Sequence, residues 1–166
     1  MAQSAASPSL LQTDKLSFDT PPRIAVVYTE WNEAIVREQL AGFDRVIAQS
    51  GGIVTERLVV PGSFELPFGC RLAARAGSPE AVVAFGAVIR GGTPHFEYVS
   101  QAATQGIMQL NLTLDIPVIF GVLTLDTEAQ AWERLGGTHG HKGEEAAITA
   151  LKMIWAARRF GSKSHT

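Results

Sequence analysis

Apolar positions along this chain fall into two patterns. Ile24–Tyr28, Ala81–Phe85 and Pro117–Leu123 are short, nearly continuous apolar runs, and Ile53–Val60 is a fourth, more mixed one. Runs of this length predict strands, and their near-continuity predicts burial on both faces, as in a parallel sheet. Between them the apolar residues repeat at helical spacing. Val36, Leu40, Phe43 and Ile47 form one stripe; Val99, Ala103, Ile107 and Leu110 form another. Ala147, Leu151 and Ile154, with Arg158, share the face of a last helix. Two shorter helices are predicted, over Phe68–Ala76 and Thr127–Leu135, with Thr127 as N-cap of the second. Gly51-Gly52 and Gly77 stop the helices that precede them. Gly136–Gly140 is expected to be a flexible link. This alternation predicts an α/β, three-layer sandwich: a four-stranded parallel sheet with helices on both faces.

Residues 1–20 lack any period and are rich in Ser, Ala, Gln, Thr and Asp. They are expected to form a flexible N-terminal tail, or an arm that orders only on a neighbour. Pro21-Pro22 then punctuates the chain and argues against a regular strand at that point. The expected organisation is one domain over residues 21–160 and a C-terminal tail over 161–166.

Composition narrows the functional classes. The chain has 166 residues, 46% of them hydrophobic, and a formal charge of −2. That is enough for one real core, and it gives no general drive toward nucleic acid or an anionic membrane. No apolar run approaches the roughly 18 residues of a membrane span, and the N-terminus lacks the pattern of a secretory signal. A cytoplasmic protein is expected. The lone cysteine, Cys70, reads as a small buried apolar residue. His139 and His141 lie too close together, with too few further ligands, to suggest a metal site. No metal site is expected.

In an open parallel sheet, ligands bind beyond the carboxyl ends of the strands. Trp31 and Asn32 follow the first strand. Ser63, Phe64 and Glu65 follow the second. Arg90, Gly91, Gly92, Thr93 and His95 follow the third, and Arg134 lies one helix after the fourth. The third of these turns looks like an anion cradle. Two glycines and a threonine before a helix offer backbone N–H groups and a helix dipole, with Arg90 for charge and His95 to carry protons. Each residue also has a plainer reading. Paired glycines are ordinary turn chemistry, and His95 can be a polar surface group. Trp31 either stacks on a flat heterocycle or plugs the sheet end. Glu65, between Phe64 and Leu66, either meets ligand hydroxyls or is a solvated loop acid. Arg134 and Lys142 flank the Gly-rich link, where Glu133, Glu144 or Glu145 can pair with them. Trp132 and Trp155 are expected to pack.

Five segments carry a resemblance. They are Pro61-Gly-Ser-Phe-Glu-Leu-Pro67, Gly86-Ala-Val-Ile-Arg-Gly-Gly-Thr-Pro-His-Phe-Glu-Tyr98, Phe120-Gly-Val-Leu-Thr124, Gln130-Ala-Xaa-Xaa-Arg134 and Lys142-Gly-Xaa-Glu-Ala146. In this order and spacing, over roughly residues 22–160, the chain resembles the 6,7-dimethyl-8-ribityllumazine synthases, a family of flavodoxin-like architecture. The resemblance implies the penultimate step of riboflavin biosynthesis. In it, 5-amino-6-(D-ribitylamino)uracil condenses with 3,4-dihydroxy-2-butanone 4-phosphate, without cofactor, releasing phosphate and water. It implies a homo-oligomer: a pentamer, with a decamer or a sixty-subunit shell as larger forms.

Position by position, the resemblance implies that Trp31 stacks on the pyrimidine, next to Asn32. Ser63, Phe64 and Glu65 hold the pyrimidine and ribityl chain. Ala87, Val88 and Ile89 present backbone to the uracil edge. Gly92, Thr93 and Arg134 bind phosphate, and His95 moves protons. Phe120 is lent to a neighbouring subunit's site, and Lys142 lies near the pyrimidine. His141 departs from the asparagine common before Lys-Gly, and Gly92 and Pro94 fall at variable positions. A non-catalytic flavin or lumazine carrier, or a shell-forming relative, is the alternative reading.

Overall fold

The computed structural model describes residues 12–14 and 16–161. Of the expected tails over 1–20 and 161–166, residues 1–11, 15 and 162–166 lie outside the described residues, and Gly161 ends the last helix. Four parallel strands form the sheet: β1 (Arg23–Thr29), β2 (Ile53–Val60), β3 (Ala81–Ile89) and β4 (Val118–Leu125), in the order β2-β1-β3-β4. The helices are α1 (Glu33–Ser50), α2 (Leu66–Ala73), α3 (His95–Thr113), α4 (Ala129–Glu133) and α5 (Lys142–Gly161). A 3₁₀ turn at Ser63–Glu65 leads into α2. A two-stranded antiparallel hairpin, β5 (Leu135–Gly137) and β6 (Gly140–His141), precedes α5.

The strand alternation explains the layers. Ile24 and Val26 of β1 and Val83 and Phe85 of β3 point into one core with α1 and α5. Their neighbours Ala25, Val27, Val82 and Ala84 point into a second core with α2 and α3. Because both faces are covered, the central strands β1 and β3 are apolar at nearly every position, whereas the edge strand β2 carries Thr55, Glu56 and Arg57. Phe43 of α1 meets Phe85 edge-on, with ring centroids 5.8 Å apart. A third, smaller core of Ile35, Ala87, Leu123, Leu125, Ala131 and Leu135 closes the carboxyl end of the sheet and seats α4. The expected α/β three-layer sandwich is therefore the observed one.

Several local expectations differ: α2 ends at Ala73 rather than Ala76, and Leu135, expected at the end of a helix, begins β5. α2 starts at Leu66 rather than Phe68, because Pro67 is tolerated in a first turn, where its missing N–H costs nothing. Thr127 does not cap α4 through its side chain; its carbonyl accepts the Gln130 N–H, and the helix starts two residues later. The Gly-rich link is hairpin rather than free coil: Gly136 (φ 106°) and Gly140 (φ 75°) take backbone angles that side-chain-bearing residues rarely adopt. Leu16 and Phe18, from a stretch without period, pack against the α1/α5 core.

Candidate active site

The strand order reverses between β1 and β3, so the crevice for a ligand opens at their carboxyl ends. Asn32 spans it. As N-cap of α1 it lies in the left-handed region (φ 59°), and its Nδ2 donates to the Ala87 carbonyl at 2.8 Å. The two loops beside it are stitched together. The Trp31 N–H reaches the Pro61 carbonyl at 3.3 Å, and the Thr29 hydroxyl donates to the Trp31 carbonyl at 3.1 Å. Ser63 is buried against β3, which requires Gly86: a Cβ there would sit 2.8 Å from Ser63 Oγ. Trp31 (73% exposed) and Phe64 (60%) project from this seam. Trp31 therefore does not plug the sheet end. Glu65 has a protein partner the sequence did not reveal: its carboxylate accepts the Gly62 N–H at 3.0 Å and closes a tight turn.

The loop after β3 is open. Gly91, Gly92, Thr93 and His95 are all exposed, and α3 begins at His95 with no side chain capping its first turn. Neither glycine takes a positive φ, and a Cβ on either would meet nothing within 4 Å. Arg90 differs from its expected place in the cradle. Its Nε donates to Asp126 at 2.8 Å, its Nη1 to Glu97, and its guanidinium lies 4.1 Å from the centroid of the Phe96 ring. The hydrogen bonds it donates, to Glu97 first and then to Asp126, hold Arg90 above its ordinary range, and Arg90 holds Glu97 below the usual carboxylate range.

Arg134 and Lys142 come together at the hairpin, where the Lys142 N–H donates to the Arg134 carbonyl at 2.8 Å. Arg134 Nη1 donates to the Gln130 carbonyl at 3.0 Å, and Glu133 lies 3.8 Å away. The Lys142 ammonium binds both oxygens of Glu145 at 2.8 Å. Phe120 stands apart from the rim. It lies five residues upstream of the strand end at Leu125 and is 42% exposed on the open edge strand β4. There it shares a groove of about 460 Å³ with Lys142, Glu145 and Met153. One protomer thus brings Trp31, Asn32, Ser63, Phe64, Glu65 and Ala87–Ile89 together at the crevice, runs directly into the loop of Gly92, Thr93 and His95, and leaves Phe120 on the edge strand.

His141 is buried beside Gly42, with Nε2 3.1 Å from Glu38. Among the described residues, no group of three or more His, Cys, Asp or Glu is placed to hold a metal ion. Of the two tryptophans expected to pack, Trp132 is 43% exposed, and Trp155 lies under the Arg159 guanidinium. Two residues of the site were not anticipated as such. Gly86 makes room for Ser63, and Gln130 joins Asp126 to Arg134. Both stand inside the quoted segments, the only signal they gave.

The profile of one family, described as 6,7-dimethyl-8-ribityllumazine synthase, matches residues 21–158. The chain belongs to this family. The lumazine synthase match spans every residue placed above, from Trp31 to Lys142. A 6,7-dimethyl-8-ribityllumazine synthase of Kineococcus radiotolerans is 49% identical over 138 residues, covering 82% of this chain and 85% of that protein. Another, of Parabacteroides distasonis, is 48% identical over 134 residues, covering 79% and 83%. One of Thermus thermophilus is 47% identical over 134 residues, covering 80% and 85%. As a lumazine synthase the chain is an enzyme, a transferase of riboflavin biosynthesis.

Proposed function

We propose that the rim of the β1/β3 crevice holds both substrates of the lumazine synthase reaction, 5-amino-6-(D-ribitylamino)uracil and 3,4-dihydroxy-2-butanone 4-phosphate. One observation carries the reading most: neither Gly91 nor Gly92 is required by the backbone angles or by the packing of this protomer. Glycine there leaves room for something to approach the main chain, in front of an uncapped helix N-terminus suited to an anion. A phosphate is such an anion, and Gly92, Thr93 and Arg134 hold it through oriented dipoles and charge. The exposed indole of Trp31 stacks on the pyrimidine. Asn32, Ser63, Phe64 and Glu65 hold pyrimidine and ribityl chain, and the backbone of Ala87, Val88 and Ile89 meets the uracil edge.

The chemistry is then proton transfer and orientation. The uracil's 5-amino group attacks the ketone, and the carbinolamine loses water to give an imine. Proton loss and phosphate elimination give an enol, whose keto form closes the ring with loss of water. His95, first in α3 and exposed beside the loop, is the acid and base for these steps. Holding two reactants in register supplies much of the rate.

Phe120 supports a shared site. It stands on an open strand edge, away from the crevice, in a groove that also receives Lys142. We propose that it is lent to a neighbouring copy and that Lys142 lies near that copy's pyrimidine. The functional unit is then a cytoplasmic homo-oligomer, a pentamer or a larger assembly of pentamers. The test is product formation from both substrates, followed by absorbance, beside a mass measurement in solution. In Arg134→Ala the KM for the butanone phosphate should rise by about 10- to 100-fold, a larger effect than His95→Ala has on overall rate. An unchanged KM in Arg134→Ala would remove that arginine from the phosphate site.

A further inference from the structure

We propose that Arg90 is a positioning residue rather than an anion ligand. It locks the loop of Gly92, Thr93 and His95 to the turn after β4 and, through Asp126 and Gln130, to Arg134. The proposal rests on the reading of that loop and Arg134 as the phosphate side of the site.

Arg90 is engaged on several sides. Its backbone N–H donates to the Leu125 carbonyl at 2.8 Å, joining the end of β3 to the end of β4. Its guanidinium bonds Asp126 after β4 and Glu97 in the first turn of α3, and its face covers Phe96. A planar fork can bridge two carboxylates on different elements, which an ammonium cannot do with the same geometry. The link continues. The Asp126 N–H donates to Gln130 Oε1 at 2.8 Å, and the Gln130 carbonyl accepts Arg134 Nη1 at 3.0 Å. One connected path therefore runs from the helix that starts at His95 to the guanidinium of Arg134.

Charge decides against a ligand role. One guanidinium against the carboxylates of Glu97 and Asp126 leaves a cluster that is negative overall, so a phosphate approaching Arg90 meets repulsion. The attraction must come from the α3 N-terminus and from Arg134. All three charged side chains are solvated, so the pairs add little to stability. What they supply is register, on which a reaction of two substrates depends.

The test is steady-state kinetics of the full-length assembled enzyme. In Arg90→Met the KM for the butanone phosphate should rise about tenfold, with the KM for the uracil held within about twofold. Asp126→Asn should move the same way, and the double variant should be no worse than Arg90→Met alone. If Arg90 were a ligand, Asp126→Asn would free it and lower that KM, which overturns the proposal. An unchanged KM in Arg90→Met overturns it as well. Gln130→Ala leaves every Arg90 contact in place and reads the second half of the path; it decides the matter if Arg90→Met fails to assemble, and an unchanged KM there removes the link to Arg134. Arg134→Ala separates the two levels, since an unchanged KM in that variant sinks the phosphate reading itself.

Discussion

Asn32 shows how much one residue does here. The chain must turn from β1 into α1 within three residues, and it does so through a left-handed backbone at Asn32. Asparagine tolerates that region better than other side-chain-bearing residues, and its amide then reaches across the crevice to Ala87. Asn32→Ala loses both, for roughly 2 kcal/mol of stability. Asn32→Gly keeps the backbone and loses only the hydrogen bond, so it should cost roughly half as much. Urea midpoints of the two variants at equal protein concentration check this; equal losses would mean that the backbone angle carries no cost. Cys70 makes the complementary point. Burial pushes its thiol up to about 12, so alkylation by iodoacetamide should be negligible in the folded protein and rapid in urea. Asn32 could be picked out in the sequence as a candidate, but its partner could not. Ala87 lies 55 residues from Asn32, and no local pattern encodes that distance. Arg90 read as a free cation for the same reason: Asp126 is 36 residues away.

At the scale of elements, the central strands β1 and β3 were legible because burial on both faces leaves a nearly unbroken apolar run, and the long helices because one stripe faces the core. The hairpin of β5 and β6 was not, since a Gly-rich stretch carries no hydrophobic period and its form comes from Gly136 and Gly140 backbones and from the Lys142 bond to Arg134. The packing of α5 on α1 was equally hidden. It depends on Gly143, where a Cβ would overlap the Gln39 carbonyl, and on Gly42, where one would overlap the His141 ring. Between these helices and the sheet, buried Gln39 donates to the Gly121 carbonyl at 2.7 Å. Gly143→Ala must therefore push the start of α5 away from α1, at a cost of about 1–3 kcal/mol. Lys142 is the preceding residue, so the same shift should raise the KM for substrate. Thermal melts and steady-state kinetics read the two effects; a stable variant with unchanged kinetics would show that α5 can slide without disturbing Lys142.

At the scale of the molecule, the segment before β1 is tied to the far end of α5 by Arg158. Its guanidinium bonds Glu80 with both Nε and Nη2 at 2.7 Å, donates to the carbonyls of Thr20 and Pro21, and lies 5.3 Å from the Phe18 ring. The Arg23 N–H adds a bond to Glu80 at 3.1 Å. The bond from Arg158, more than any other cause, holds the Glu80 carboxyl below its ordinary value of 4.5, while Arg158 itself is held above its own. A carboxylate whose pKa is lower in the folded than in the unfolded state stabilises the fold above the unfolded value, and the benefit fades as pH falls through the folded one. Glu80→Gln should therefore be less stable than the parent at pH 7, and the difference should shrink below pH ~4.5 as the parent's own Glu80 takes up its proton. Arg158→Ala should give the same loss at neutral pH and should also release residues 16–20, seen as faster cleavage there in limited proteolysis. Parallel stability curves for Glu80→Gln and parent across this range would mean that Glu80 is not the group that senses acid. Unchanged proteolysis in Arg158→Ala would mean that Leu16 and Phe18 hold the segment by packing alone.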